Sequence, residues 1–385
     1  MVKFKKLGDL CYISSGGTPK RTITDYWDNG KIPWVKISDI KSKHILNTDE
    51  RITKQGLENS SAKLFPKDTI VYTIFATVGE VGILDITAAT NQAIAGIQVK
   101  DRTQLRVDYL YYFLKSIKKS VQFLGRGVAQ NNINLSVLKS ISVPIPSFQE
   151  QTAIVKVLDS LNGQIKNKHK QLTLLSQLIK ARFVEMFGDP VLNSNDYKLI
   201  KLSNLGTLSR GKSKHRPRND PKLLGGPYPL IQTGDITNSG IFIKKYNNTY
   251  SKLGLKQSKM WPAGTLCITI AANIAQTAIL SFDACFPDSV VGFIPKADII
   301  TTTYLHYWFS FFQKILDAQA SQVAQKNINL KVLSNLDVAV PPITEQDKFL
   351  SFVQQVDKSK FENIVYLNKT LSMKILSQLG DVSRD

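Results

Sequence analysis

Two regimes of apolar patterning alternate along the 385 residues. In the first, short β-branched runs stand between turn signals. Asp68–Phe75 (DTIVYTIF), Ala93–Val99 (AIAGIQV), Thr265–Ile270 (TLCITI) and Ser289–Ile294 (SVVGFI) each have the length and composition of a buried strand. Val107–Phe123 and Thr303–Leu316 carry aromatics at helical spacing, which predicts one packed helix in each region. The second regime is helical throughout. From Glu150 to Phe187 there is no proline, and Ile154, Leu158, Leu161, Ile165, Leu172, Leu175 and Ile179 keep alternating three- and four-residue steps, interrupted by Lys168. That is a heptad seam, and Gly188 followed by Pro190 predicts its stop. The segment from Glu345 to Leu379 offers Phe349, Val353, Val356, Ile364, Leu367, Leu371 and Ile375, with Lys360 on its seam. Two single helices with apolar seams most simply pair with each other, and at ~1.5 Å per residue each spans roughly 50–60 Å.

The regimes recur because the chain is duplicated. Val128–Leu135 reads VAQNNINL and Val323–Leu330 reads VAQKNINL, which chance does not supply. The same offset of 195 aligns Lys6-Leu7 with Lys201-Leu202, Gly16 with Gly211, Tyr109-Leu110 with Tyr304-Leu305, and Glu150-Gln151 with Glu345-Gln346. Between these anchors the offset becomes 196, pairing Pro33 with Pro229, Asp39-Ile40 with Asp235-Ile236, Pro66 with Pro262 and Gly96 with Gly292, as if one residue were gained and then lost. The expected fold is α+β: two tandem mixed globules at 1–148 and 191–343, each followed by a long helix, at 149–190 and 344–385.

Charge adds a partner class. A formal net charge of +20 points to a polyanion, with nucleic acid before a membrane surface. Cys11, Cys267 and Cys285, like His44, His169, His215 and His306, are scattered, so neither a disulfide framework nor a metal site is expected. The charged start lacks a following apolar run, and no stretch is long and apolar enough to span a bilayer. A soluble, cytoplasmic protein with no membrane partner is expected.

Catalytic signatures are missing from the sequence: no phosphate-binding Gly-x-x-x-x-Gly-Lys-Ser/Thr loop, no Gly-x-Gly-x-x-Gly after a strand, and no Asn-Pro-Pro-aromatic element of an amino-methyltransferase. Asp39-Ile40-Lys41 matches the tail of a nuclease motif but lacks a suitable upstream Pro-Asp. Binding residues are more plentiful. Arg210, Lys212, Lys214, His215, Arg216 and Arg218 crowd nine residues of the second copy, where the first has Lys20 and Arg21. Such side chains neutralise phosphates, and arginine also takes guanine edges in a bidentate fashion. Lys36, Ser38 and Lys41 in the first copy, and Gln232 and Thr233 in the second, lie around the shared Asp39 and Asp235 and differ between copies, as expected of base readers. The aspartates themselves suit a turn cap. Gln130, Asn131 and Asn132, with Gln325, Lys326 and Asn327, form amide-rich loops before short helices capped by Asn134 and Asn329. Their near-identity favours structure and phosphate contact over base reading.

The VAQxNINL loops, the run PIPSFQEQ at 144–151 and the run PPITEQ at 341–346 together resemble the specificity subunit of type I DNA restriction-modification systems, over the whole chain. Ala181–Pro190 (ARFVEMFGDP) resembles the end of that family's central helix; the second copy lacks this ending and is expected to finish at Gly380. The resemblance implies a non-catalytic protein whose two domains each read half of a bipartite, asymmetric site on double-stranded DNA. Its helices would pair as an antiparallel coiled coil and set the distance between the halves. It further implies two methylating subunits that use S-adenosylmethionine, and translocating restriction subunits that use ATP and magnesium; no cofactor is expected on this chain. A fused DNA methyltransferase, detectable by S-adenosylmethionine binding, and a coiled-coil scaffold of incidental charge are the other readings.

Overall fold

The structure, a computed structural model, describes residues 3–124, 132–190, 192–271, 274–311 and 328–382. The chain divides into two compact units, Met1–Ile165 and Lys166–Asp385. In the first, a five-stranded sheet runs in the order Cys11–Ser15, Ile94–Val99, Ile70–Thr73, Val81–Leu84, His44–Ile45. Its pairs are antiparallel except the last, where His44–Ile45 lies parallel to Val81–Leu84. A four-stranded sheet follows the order Glu50–Ile52, Ile32–Val35, Ala88–Thr90, Leu64–Phe65. Both runs that the sequence marked as buried strands in this domain are strands, and Ile70–Thr73 and Val81–Leu84 are buried at every position. Gly96 stands where a side chain would collide with the Phe65 ring, and Gly292 stands against Trp261 in the same way. Each glycine lets a large ring from the small sheet approach the second strand of the large one closely.

The second unit repeats this architecture. Its five-stranded sheet is Gly206–Arg210, Val290–Pro295, Leu266–Thr269, Thr277–Leu280, Phe242–Ile243, and its four-stranded sheet is Asn248–Tyr250, Leu224–Leu230, Ala284–Cys285, Met260–Trp261. The α+β duplication read from the sequence is the fold.

Three details differ from the sequence reading. The helix expected over Val107–Phe123 is two helices, Val107–Ser116 and Lys118–Leu124. Ser116 Oγ donates to the Phe113 carbonyl at 2.7 Å, and the chain kinks at Ile117 so that Val121 turns into the core. In the second domain helix is described over 302–311, and the rest of the expected segment lies outside the described residues. The repeat offset also grows beyond one residue. Ile45 and Ile243 hold the same place beside the parallel neighbour strand, so the second copy is two residues longer between Asp235 and Ile243 than the first between Asp39 and Ile45.

Each domain passes into its helix through the same polar joint, which accounts for the repeated Glu-Gln. Gln151 is fully buried; its Nε2 donates to the carbonyls of Gln104 (2.8 Å) and Pro146 (3.0 Å), and its Oε1 accepts the Arg106 N–H at 2.9 Å. Gln346 does the same with Ile299 (3.0 Å), Pro341 (2.9 Å) and the Thr301 N–H (2.8 Å). A two-stranded pairing of Lys3–Lys6 with Ser142–Ile145, and of Leu199–Lys201 with Asp337–Ala339, brings both ends of each domain to that joint.

The central helix spans Phe148–Phe187, 40 residues, or roughly 60 Å at ~1.5 Å each. Gly188 ends it in the left-handed conformation at φ 72°, where glycine alone carries no Cβ penalty. Its seam is the least exposed stripe: Leu161 and Ile179 are buried, and Leu158, Ile165, Leu172 and Leu175 are half-buried. Leu158 packs on the first domain's core, and Leu175 on the second's. Within the second unit Phe183 and Phe187 meet Phe349, and Arg182 lies over Phe352, so the last turns of this helix run against the first turns of the helix Ile343–Val382 in the opposite direction. Val353 and Val356 are buried there. Ile364, expected on the seam, is 43% exposed, because it lies beyond that aromatic core. The side chains of Leu367 and Leu371 lie outside the described residues. The helix runs through Gly380 to Val382 instead of ending at the glycine, which costs only about 1 kcal/mol in a helix that no proline interrupts.

Candidate nucleic-acid interface

The site begins at the two turns that carry the shared aspartate. Asp39 Oδ2 accepts the Lys36 N–H at 2.9 Å, and Asp235 Oδ2 accepts the Gln232 N–H at 2.8 Å. The carboxylate closes a short helical turn by satisfying its first N–H, so the shared residue builds and its variable neighbours are displayed. With Asp39 so engaged, the nuclease reading of Asp39-Ile40-Lys41 has no geometric support. Ser38 and Lys41 are exposed beside it.

Lys36 and Arg21 are not loose cations. Lys36 Nζ sits 3.0 Å from Glu50 Oε1 and 3.6 Å from Asp49 Oδ2, while Arg21 NH1 is 2.5 Å from Glu50 Oε2. The Arg21 bond chiefly, with that of Lys36, holds the Glu50 carboxyl below its ordinary range, and Glu50 in turn raises Lys36. The Arg21 guanidinium lies 3.7 Å from the centre of the Trp27 ring and 4.9 Å from that of Trp34. The two indole N–H groups pin the loop itself, Trp27 to the Lys20 carbonyl (3.2 Å) and Trp34 to the Gly17 carbonyl (3.1 Å). Arg21 thus keeps one face stacked and about half its side chain in solvent, a preorganised donor. Lys20 is exposed beside it.

The basic run of the second domain is built just as firmly. Gln257 Oε1 accepts the N–H groups of Lys214 (2.7 Å) and His215 (3.1 Å). His215 Nε2 pairs with Asp220 at 3.0 Å. Arg218 and Arg216 share Asp288 at 2.5 and 3.6 Å, and Arg216 also donates to the Ser213 carbonyl. Arg210, Lys212 and Lys214 are exposed, and none of the three has an ion pair within 4.0 Å among the described residues. Asp288 halves the charge of its arginine pair, so the run offers fewer net cations than the sequence count.

The NINL halves of the repeated loops are structural. Ile133 and Ile328 are buried, and their N–H groups donate to Ile74 (3.0 Å) and Ile270 (3.2 Å). Asn134 Oδ1 accepts the Val137 N–H and Asn329 Oδ1 the Val332 N–H, both at 2.9 Å, capping the short helices as the sequence predicts. Asn132 is half-buried beside them. Gln130, Asn131, Gln325, Lys326 and Asn327 lie outside the described residues. Sequence reasoning missed Trp27 and Trp34, and it missed Lys43, whose ammonium bridges Asp108 and Asp159 at 2.7 Å each. A basic residue four positions beyond the aspartate of the capped turn was the one available signal.

Two copies of one domain, each presenting anchored cations and exposed amides around a capped turn, with a helix attached, define a two-part nucleic-acid recognition protein. The family model for the type I restriction modification DNA specificity domain matches residues 1–177 and 194–372, so the chain belongs to that family. It is 24% identical to the type I restriction enzyme MjaIX specificity subunit of Methanocaldococcus jannaschii over 98% of this chain and 90% of that one. It is 27% identical to the EcoR124I/EcoR124II specificity subunit of Escherichia coli over 42% of this chain and 41% of that one. In fold it is similar to the type I restriction-modification S subunit of M. genitalium, with a TM-score of 0.57, 16% identity, and coverage of 98% and 94% of the two chains. A chain from a structure on complex assembly of the type I restriction-modification system aligns with a TM-score of 0.63 at 15% identity over 98% and 96%. The chain is a DNA-specificity subunit, a recognition component and not itself the catalyst, of a system that joins modification and restriction subunits on DNA.

Proposed function

We propose that residues 1–148 and 191–343 each read one half of a bipartite, asymmetric duplex site, and that the helices at 149–190 and 344–385 set the gap between halves and dock two methylating subunits. The observation that carries this is the pattern of sameness and difference between the copies. The glutamine joint, the Asn caps and the aspartate turn are the same atom for atom. The residues displayed by that frame are not: Lys36, Ser38 and Lys41 stand in one copy, Gln232 and Thr233 in the other. A conserved frame docks both domains alike on the local two-fold symmetry of B-DNA, and divergent displays make the target non-palindromic. Lys20, Arg21, Arg210, Lys212, Lys214, Arg216 and Arg218 supply the phosphate contacts, with the work done in the cytoplasm where the DNA is.

Exchanging residues 1–148 for the matching domain of a relative is expected to change one half of the methylated motif and leave the other. Four residues added to the central helix lengthen it by ~6 Å, which widens the gap by close to two base-pair steps while both halves persist. Methylome sequencing reads both quantities. A domain exchange that changes both halves, or an insertion that changes bases and not the gap, overturns the reading.

A further inference from the structure

A cleft opens at the same place in both domains, between the aspartate-capped turn and the loop that leads to the first strand of the four-stranded sheet. In the first it is lined by Asp39, Lys41, Ser42, His44, Asn47 and Asp49 among others and holds about 250 Å³; in the second it is lined by Gln232, Asn238, Lys244, Lys245, Asn247 and Asn248 among others and holds about 490 Å³. The floors match: the same capped turn, and Ile45 or Ile243 buried in a strand parallel to its neighbour. The strands that follow also match, Glu50 pairing with Trp34 as Asn248 pairs with Leu230. The two-residue length difference between the copies falls inside this frame, in the wall of the cleft.

The walls differ in chemistry as well as in length. Placed by those strand pairings, Asn247 and Asn248 stand where the first domain has Asp49 and Glu50. In the first cleft Lys36 is answered by Glu50 and Asp49, and His44 by Asp85 at 2.9 Å, while Lys41 is exposed with no ion pair among the described residues. In the second cleft amides replace Asp49 and Glu50, Ser281 stands in place of Asp85, and Lys244 and Lys245 are exposed with no ion pair among the described residues. Asn247 is fixed there, its Nδ2 donating to Asp235 Oδ1 at 2.9 Å, so the aspartate that closes the turn also orients a wall amide.

We propose that this duplicated cleft is the base-selecting element of each domain: Lys244 and Lys245, beside the fixed Asn247, select a guanine edge in the second, and Asp49 selects a cytosine amino group in the first. This rests on the reading of one half-site per domain. Lysine ammonium groups fit the paired O6 and N7 acceptors that guanine shows in the major groove, and a carboxylate fits the N4 donor of cytosine. A side chain 61% exposed, held at 3.6 Å by Lys36, leaves Asp49 within reach of such a donor. Lysines that served phosphates alone would not need a wall whose length and polarity are set separately in each copy.

The test uses the complex of this chain with its modification subunits, given S-adenosylmethionine and a randomised duplex library, with methylated motifs read by single-molecule sequencing. Lys244→Leu together with Lys245→Asn installs the residues of the first cleft, Leu46 and Asn47, at exposed positions. The expected result is that one base position in one half loses a preference of about 10-fold or more, while the other half is unchanged. Asp49→Asn is expected to relax the opposite half instead. An even fall in methylation of all sequences with a shallower salt dependence would assign the lysines to phosphates, and an unchanged motif would remove the cleft from selection; either overturns the proposal. A wild-type complex that yields no two-part motif would instead refute the half-site reading beneath it.

Discussion

Phe183 is the residue through which the central helix is held in the second domain, and its removal gives the clearest measure of that attachment. The side chain is fully buried among five rings: it stacks on Tyr304 and Phe311 at 5.3 Å each, meets Phe187 at 4.9 Å and Phe349 at 5.4 Å edge-on, and lies 6.4 Å from Tyr307. A buried phenylalanine cut to alanine costs about 3–5 kcal/mol through lost transfer energy and the cavity left. Each well-placed ring pair adds roughly 0.5–1.5 kcal/mol beyond area, so Phe183→Ala is expected to cost at least about 4 kcal/mol. Phe183→Leu keeps most of the volume and loses the ring contacts, for about 1–2 kcal/mol. Hydrogen exchange by mass spectrometry resolves the two domains, which a bulk melt of a two-domain chain does not. Amides of 302–311 should lose protection by about 1000-fold in the alanine variant, equal to about 4 kcal/mol, and by about 10-fold in the leucine variant. Strands of the first domain should be unchanged. A loss under 10-fold for Phe183→Ala, or an equal loss in both domains, would show that the rings do not carry the attachment.

Three further outcomes are expected. Gln151→Met fills the same space but orphans two carbonyls and the Arg106 N–H, so the first domain should lose about 2–4 kcal/mol in urea unfolding followed by hydrogen exchange; a loss below about 1 kcal/mol would mean the joint is not needed. Replacing Arg210, Lys212 and Lys214 by glutamine should flatten the slope of log affinity against log salt by ~0.9 for each phosphate contact removed, and an unchanged slope would take the loop off the DNA backbone. Burial, aided by Lys180 and opposed by the bond to Thr277, pushes the His306 imidazole down to about 4 from an unfolded value of 6.5. Between those values the unfolded chain binds a proton that the folded one refuses, so the second domain's stability is complete above pH 6.5 and falls on acidification, by roughly 3 kcal/mol at pH 4. His306→Asn should remove that part of the slope, which hydrogen exchange of 302–311, compared between wild type and variant across a pH series, would show.

The sequence exposed what is periodic and hid what is lateral. Ile70–Thr73 was legible as a short continuous apolar run between turn signals, and the seam from Ile154 to Ile179 because a seven-residue repeat declares which face is buried. The kink at Ile117 was not, since it turns on one Ser116 hydroxyl competing for a carbonyl inside an unbroken helical pattern. The basic run was legible as charge, but Asp288, which pairs with Arg216 and Arg218, lies some seventy residues away in sequence, and only folding shows that part of the charge is answered. Lys244 and Lys245 were visible as a dipeptide yet had no counterpart, because the aligned anchors stop at Asp39-Ile40 and resume only at Pro66, which concealed the longer wall of the second cleft. Strand pairing restored the register that letters could not.

The two domains share a glutamine joint but hold their helices with different forces, and this limits how they can be exchanged. In the second, rings do the holding. In the first, Lys43 Nζ bridges Asp108 and Asp159 at 2.7 Å each, Tyr112 donates to Asp159 at 2.5 Å, and Asn162 donates to the Tyr112 hydroxyl at 2.9 Å. Burial opposes the charge on both Lys43 and Asp159, yet the bonds between them prevail, raising the lysine and lowering the aspartate, so the bridge stays charged across neutral pH. Lys43 stands four residues beyond the aspartate of the capped turn, so the bridge ties the wall of the reading cleft directly to the helix. Lys43 and Asp108 belong to the globule, whereas Asp159 and Asn162 belong to the helix. A domain exchanged at residue 148 therefore arrives without its half of the bridge unless the donor also offers a cation opposite Asp159, and the half-exposed carboxylate is then left unpaired at a modest cost. Moving the junction to residue 165 carries the whole network. If the bridge orients the cleft, the later junction should give a cleaner half-site motif than the earlier one from the same donor, and Asp159→Asn in the earlier chimera should recover part of the difference by removing the stranded charge.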